Sequence, residues 1–434
     1  MRLVWVACGI PVVLVGLQVW IWRVNAPHGA EWLLLPALEK SYLGTLTPLD
    51  LWRQHNEHRF FFPTAVILAL AHWTRWDVTP ILLLSLLLAV GIFVLLVRQA
   101  NSTLRSTGVL GTAWMALPIA LIVFSWQQWE NWMGQLELST FLQIFATLQA
   151  VEVLVDSPLR GVDIARAAAL GVVATYSRGT GVLVWPIGGF LLSARREGCP
   201  ADRRRRLLLW WGAAVVVALS YLFRYRGPAH HPSVWVFAAD PVKYLKYVCA
   251  FLGSPLISYD FQAATVAGAM GLFLFIGLGA SLARTGSIPR NRLLLHTAVG
   301  LYAVGNALLI GIGRAGFGVR QAMASRYVTH SNLLWVALLT FLVLKGCLTP
   351  ARSPGRWFWM GALVAIILLN LSSTVSARGH FRRNHDKLMM AREIVSASDS
   401  RLMRLVSRKP PEILEEGIGF LRRHHLSVFR EGGP

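Results

Sequence analysis

The chain has 434 residues, 55% hydrophobic and only 15% charged, with a mean hydropathy of +0.51. A soluble domain cannot hide that much apolar surface, so a globular class is excluded and a polytopic membrane protein is expected. The formal net charge of +21 would suit nucleic acid, but the arginines are scattered through loops between apolar runs, and membrane lipids and lipid phosphates are the expected partners, with no nucleic acid.

Met1 and Arg2 lead into an apolar run that ends at Trp22, and Val24-Asn25-Ala26 then resembles a cleavage site. The run is longer than the usual core of a secretory signal, so an uncleaved first span is expected. Further apolar runs lie at 78–96, 109–124, 138–155, 207–223, 263–283, 293–312, 333–348 and 358–371. Two shorter ones lie at 167–176 and 181–192. The expected fold is all-α, with about eleven membrane segments and a long first outer loop at 23–77 carrying interface helices. A transmembrane domain at 1–374 would be followed by a helical tail at 375–434, with helical pattern at 382–395 and 411–424, packed over the outer loops. Cys8, Cys199, Cys249 and Cys347 are not placed to bridge one another.

Loop charge sets the orientation. Arg98 with Arg105, Arg195 to Arg206, Arg284 to Arg292, and Lys345 to Arg356 fall in loops that this order puts in the cytoplasm. Positive charge in short loops marks the inside, so the N-terminus is expected there and the C-terminus outside. Arg314, Arg320 and Arg326 break the pattern, being a basic loop on the outer side; binding of some partner is the expected reason. The runs at 167–176 and 181–192 rise only about 15–18 Å each against about 30 Å of hydrocarbon. They are expected to form a hairpin turning within the protein, with Arg178 at its tip beside a partner. The run at 60–73, ending in Trp73, Arg75 and Trp76, reads as a helix lying in the interface.

Five polar residues in a row, His55-Asn56-Glu57-His58-Arg59, sit in the first outer loop. Membrane insertion calls for none of them. His55 and His58 lack the H-E-x-x-H spacing of zinc enzymes. A hard divalent cation (magnesium or manganese) held by Glu57 and another carboxylate stays open, as does a salt-bridge cluster that pins the loop. Glu31 follows the first span closely, and a partly screened carboxylate can serve as a general base. Arg59, Arg178, Arg224, Arg226, Arg314, Arg320 and Arg326 fall at the same outer level, where guanidinium forks would suit a phosphate whose tail stays in lipid, Arg178 and Arg326-Tyr327 above all. Trp126, Trp129 and Trp132 recur at spacing three, with Glu130 and Asn131 beside them; one aromatic face flanked by polar groups would suit a sugar ring.

Glu31-Trp32, Gln54 to Arg59, Trp129-Glu130-Asn131-Trp132 and Ser325-Arg326-Tyr327 resemble motifs of a bacterial, largely uncharacterised branch of the GT-C superfamily of membrane glycosyltransferases. The layout of residues 3–194 resembles the superfamily more broadly. The resemblance implies a polyprenyl-phosphate sugar donor, an envelope glycan, lipid or protein as acceptor, and a bacterial inner-membrane location. It places Glu31 as catalytic base. Ala30 breaks the acidic pair usual there, so either Glu57 supplies the second carboxylate or the chain is an inactive relative. A flippase of lipid-linked glycans and a non-catalytic partner in envelope assembly are the other readings.

Overall fold

The computed structural model describes residues 2–109, 112–156, 158–195, 199–228, 232, 235–398, 402, 405 and 411–430. Nearly all of this is helix, as expected for a chain that must pair its backbone groups within hydrocarbon. The main helices are α1 (Arg2–Trp22), α2 (Phe61–Thr74), α3 (Val78–Ser106), α4 (Ala116–Val123) and α5 (Leu138–Val155). Next come α6 (Gly161–Thr175), α7 (Val184–Ala194), α8 (Pro200–Leu222), α9 (Pro241–Gly253) and α10 (Phe261–Thr285). The chain ends with α11 (Arg290–Arg314), α12 (Ser325–Leu348), α13 (Pro354–Ser376), α14 (Arg378–Ala397) and α15 (Pro411–Arg423). Among the described residues, eight helices are long and apolar enough to cross a membrane. The chain is a multi-pass membrane protein of the all-α class.

Three further passes are built from shorter pieces. Trp76, just ahead of α3, donates to Gln135, just ahead of α5, at 2.9 Å, and Arg98 on α3 meets Glu152 on α5 at 2.6 Å. Those two helices therefore run parallel, and the chain between them must return. It does so brokenly. Where the sequence predicts one helix over 109–124, α4 stops at Val123 and is followed by a 3-10 turn (Trp126–Gln128) and a short helix (Trp129–Met133). Irregular backbone at depth is tolerated only inside protein, with its polar groups satisfied. Here Gln128 Nε2 donates to the Val123 carbonyl at 2.5 Å and Trp132 Nε1 to the Ser125 carbonyl at 3.0 Å.

The predicted mid-membrane hairpin is also corrected. Arg178 at its tip reaches Glu137 at the head of α5, and Arg195 at its base donates to the carbonyls of Leu154 and Asp156 at the foot of α5. The pair thus matches α5 in height. Reading apolar residues alone left out Asp163 and Arg166, which begin α6 in helical form. The 3-10 turn Gly179–Leu183 adds height ahead of α7, since it rises about 2.0 Å per residue.

At the centre stands α12, buried on nearly all sides. Beside it α9 and α10 touch backbone to backbone: a Cβ at Gly268 would lie 1.8 Å from the Cys249 carbonyl oxygen. The tail caps the end of the bundle that carries the first loop. Asn25 Nδ2 donates to the Ser427 carbonyl and Ser427 N to the Arg75 carbonyl, both at 2.9 Å, while Arg430 pairs with Asp77. A second apolar cluster joins Trp32 and Leu35 of the first loop to Leu414, Ile418 and Leu421 of α15.

Candidate active site

The polar run of the first loop is a β-hairpin. Gln54–His55 pairs antiparallel with His58–Arg59, and Asn56 at the turn takes a positive φ of 49°, which asparagine tolerates better than most residues. The hairpin leans on the tip between α6 and α7: the Gly179 N–H donates to His58 Nδ1 at 3.2 Å. That contact requires glycine, because a Cβ there would meet His58 Nδ1 at 2.9 Å and the Glu57 carbonyl at 3.1 Å. With Nδ1 accepting, neutral His58 carries its proton on Nε2, which faces Glu57 Oε1 at 3.5 Å.

A cavity of about 840 Å³ opens at this end of the bundle. Its walls bring together Glu31, His55, Asn56, Glu57, His58, Glu130, Arg178, Arg326 and Tyr327 from the predicted set. Three residues of that set are turned elsewhere. Arg59, 4% exposed, spends its fork on the carbonyls of Tyr221 (2.8 Å), Trp52 (2.7 Å) and Phe223 (2.6 Å), so it fastens the hairpin to α8 instead of meeting substrate. Asn131 is buried, donating to the Arg326 carbonyl and to Thr329 Oγ1. Trp129 stacks on His380 of the tail. The three tryptophans do not share one face. Trp126 packs on Phe381, whereas Trp132 turns inward between Phe124 and Phe141.

The Arg59 contacts carry a stability prediction. Changing Arg59 to Met strands three carbonyls, and the loss of charge-assisted bonds should cost about 3 kcal/mol or more. A clearly lowered melting temperature of the detergent-solubilised variant would be the expected result.

Charge in the cavity is arranged in pairs. Arg314 pairs with Glu57, Arg326 with Glu130 at 3.2 Å, and Arg178 with Glu137 at 2.6 Å. Glu130 also accepts from Ser325 Oγ (2.8 Å) and from Arg326 N (3.0 Å), so the carboxylate sits on the N-terminus of α12, where the helix dipole favours it. Arg178 reaches Glu137, Ser139 and Thr140 through Nη1 alone. Among the described residues its Nε and Nη2 are left for a ligand.

Glu31 is the exception: among the described residues it makes no ion pair. Its carboxylate accepts from Gln135 N (2.9 Å), Gln135 Nε2 (2.9 Å) and His28 N (3.1 Å). Burial pushes it up to about 7, even though those bonds pull the other way. Glu57 behaves oppositely. Burial would raise it, but His58 and Arg314 beside it prevail and hold it at about 2. Since burial drives His58 itself down to about 3, Arg314 is the charge that keeps Glu57 ionised. Glu31 is thus a carboxylate able to take a proton near neutrality, and Glu57 is not.

Sequence reasoning missed His330 as a cavity residue; it placed Arg314 among the outer arginines and Glu137 among the outer acids without pairing either. Arg314 had left a trace as the basic residue on the wrong side of the charge pattern, and Glu137 as the partner owed to Arg178. His330 left none.

No protein-family model matches the chain, and no curated protein matches it. Among solved structures, the crystal structure of ArnT from Cupriavidus metallidurans bound to undecaprenyl phosphate matches with a TM-score of 0.44. The identity is 14%, and the alignment covers 99% of this chain and 78% of that one. No residue role is carried across a likeness of that level.

Proposed function

We propose that the chain is a membrane glycosyltransferase of the GT-C type, moving a sugar from a polyprenyl-phosphate carrier to the hydroxyl of an envelope glycan, lipid or protein. The observation that carries this reading is the placement of Glu31, without an ion pair among the described residues and raised to about 7, in one cavity with the forks of Arg178 and Arg326. A base near its working pH, sharing a cavity with cations farther along the wall, is what a displacement at a sugar phosphate needs.

Glu31 takes the proton of the acceptor hydroxyl as its oxygen attacks the anomeric carbon. The bond from that carbon to the phosphate oxygen breaks, its electron pair leaves with the polyprenyl phosphate, and the configuration inverts. Arg178 and Arg326 stabilise the charge gathering on the phosphate, with Glu130 and Glu137 fixing their forks beforehand. Glu57 and His58 hold the wall. The broken pair at Ala30 then does not disable the site, since one base suffices for a single displacement. A hard divalent cation fits these residues poorly: Arg314 and His58 face the Glu57 carboxylate, and among the described residues no three His, Cys, Asp or Glu side chains converge as a metal would need. No step is routed through one.

With the orientation read from the loop charges, the cavity end of the bundle and the tail both lie on the outer side of the membrane. Tyr327, Leu309, Ile310 and Val182 give the cavity an apolar wall on which a prenyl chain can lie. The reading is tested by reconstituting the protein in liposomes with a polyprenyl-phosphate donor bearing labelled sugar and an envelope extract. Label on a new acceptor is the expected result. Movement of intact donor between leaflets, without transfer, would instead favour the flippase.

A further inference from the structure

His330 lies one turn beyond Arg326 on α12, on the same face, and lines the same cavity at greater depth. It is 1% exposed, and neither Nδ1 nor Nε2 has a hydrogen-bond partner among the described residues. Its neighbours on α12 are differently placed. Thr329 bonds Gln128 and Asn131, Ser331 bonds the Tyr327 carbonyl, and Asn332 donates to the Ile122 carbonyl at 2.9 Å. Buried polar groups are ordinarily paired. An imidazole with both nitrogens bare on a cavity wall is therefore placed for a group that arrives with the ligand.

The surroundings say which group. Arg178 and His58 line the same cavity as His330, and Arg326 is one turn away. Two guanidinium groups call for an anion between them, and an imidazole N–H at the same wall is a third donor to it. We propose, resting on the function inferred above, that His330 contacts the phosphate of the lipid-linked donor. Its N–H goes to a non-bridging oxygen from the deep side of the cavity, while Arg178 and Arg326 bind from above. The contact fixes the depth at which the phosphate stops. The sugar then projects outward toward Glu31, and the prenyl chain turns to the apolar wall.

The test uses the full-length protein in nanodiscs and polyprenyl phosphate without a sugar, with binding read by native mass spectrometry. His330→Leu keeps an apolar bulk in place and should weaken binding by about tenfold or more, the size of a lost bond to a charged group. His330→Gln retains a donor and should stay within about threefold of wild type. Unliganded melting temperatures close to wild type establish that both variants fold. Wild-type affinity in His330→Leu would overturn the proposal. If Arg178→Gln and Arg326→Gln still weaken binding in that case, the transferase reading stands and only the role of His330 falls. If the wild-type protein does not bind polyprenyl phosphate, both fall together.

Discussion

Replacing Glu31 by Gln is expected to lower kcat for sugar transfer by about 10²–10⁴-fold, the usual contribution of a positioned general base, with little change in KM for the donor. An amide of the same shape still fills the site but cannot take a proton. Its NH₂ would face one of the donors now held by the carboxylate, on Gln135 or His28, so part of any loss could come from a loosened turn. Glu31→Asp separates the two effects. It keeps an acid, drawn back by one methylene, and should retain intermediate activity. Rates measured in proteoliposomes at saturating donor check both variants. Glu57→Gln is the informative contrast: its carboxylate is tied to Arg314 and held at about 2, so it has no proton affinity to contribute near neutrality. Its loss should act through the hairpin, with a smaller effect on kcat.

Arg178→Gln should be the next most damaging change, lowering kcat by about 10²–10³-fold, the cost of removing one preorganised donor from a developing negative charge. The guanidinium is held by Glu137, Ser139 and Thr140 before any ligand enters, so no reorganisation is needed at the moment of reaction. Removing it alone also strands the carboxylate of Glu137, which would cost stability as well as rate. The double variant Glu137→Gln with Arg178→Gln leaves a neutral pair that can still hydrogen-bond. It should recover the melting temperature without recovering kcat. Recovery of both would reduce Arg178 to a structural role.

Much of the architecture was legible because hydrocarbon leaves the chain few choices. Apolar length located the long helices, and the paired short runs at 167–176 and 181–192 did mark a hairpin with Arg178 at its tip. The height of that hairpin was misjudged, because Asp163 and Arg166 sit within a helix that an apolar count ends early, and because a 3-10 turn gains more height per residue than an α-helix. The broken return through 116–133 was hidden for a related reason. Its free carbonyls are satisfied by Gln128 and Trp132, long-range choices that no local pattern announces.

At the site, residue type pointed to the right wall more often than to the right role. Glu57 looked as reactive as Glu31 until Arg314, 257 positions away in sequence, proved to be its partner. Arg59 had the chemistry of a phosphate ligand, yet two carbonyls at the end of α8 and that of Trp52 in the first loop had claimed it. Trp129 and Asn131 lost their expected role because the tail stacks on the one and α12 engages the other. What distinguishes Glu31 is the lack of any cation beside it among the described residues, and that is a property of the folded arrangement alone.

The rate of sugar transfer against pH, measured in proteoliposomes with donor and acceptor in excess, tests the central claim most directly. In the proposed reaction the active form of Glu31 is the carboxylate, and burial pushes its protonation up to about pH 7. The rate should therefore climb about tenfold per pH unit on the acid side, level off above neutrality, and lose that dependence in Glu31→Gln. A rate that is flat through neutrality in the wild type, or the same acid limb surviving in Glu31→Gln, would contradict it.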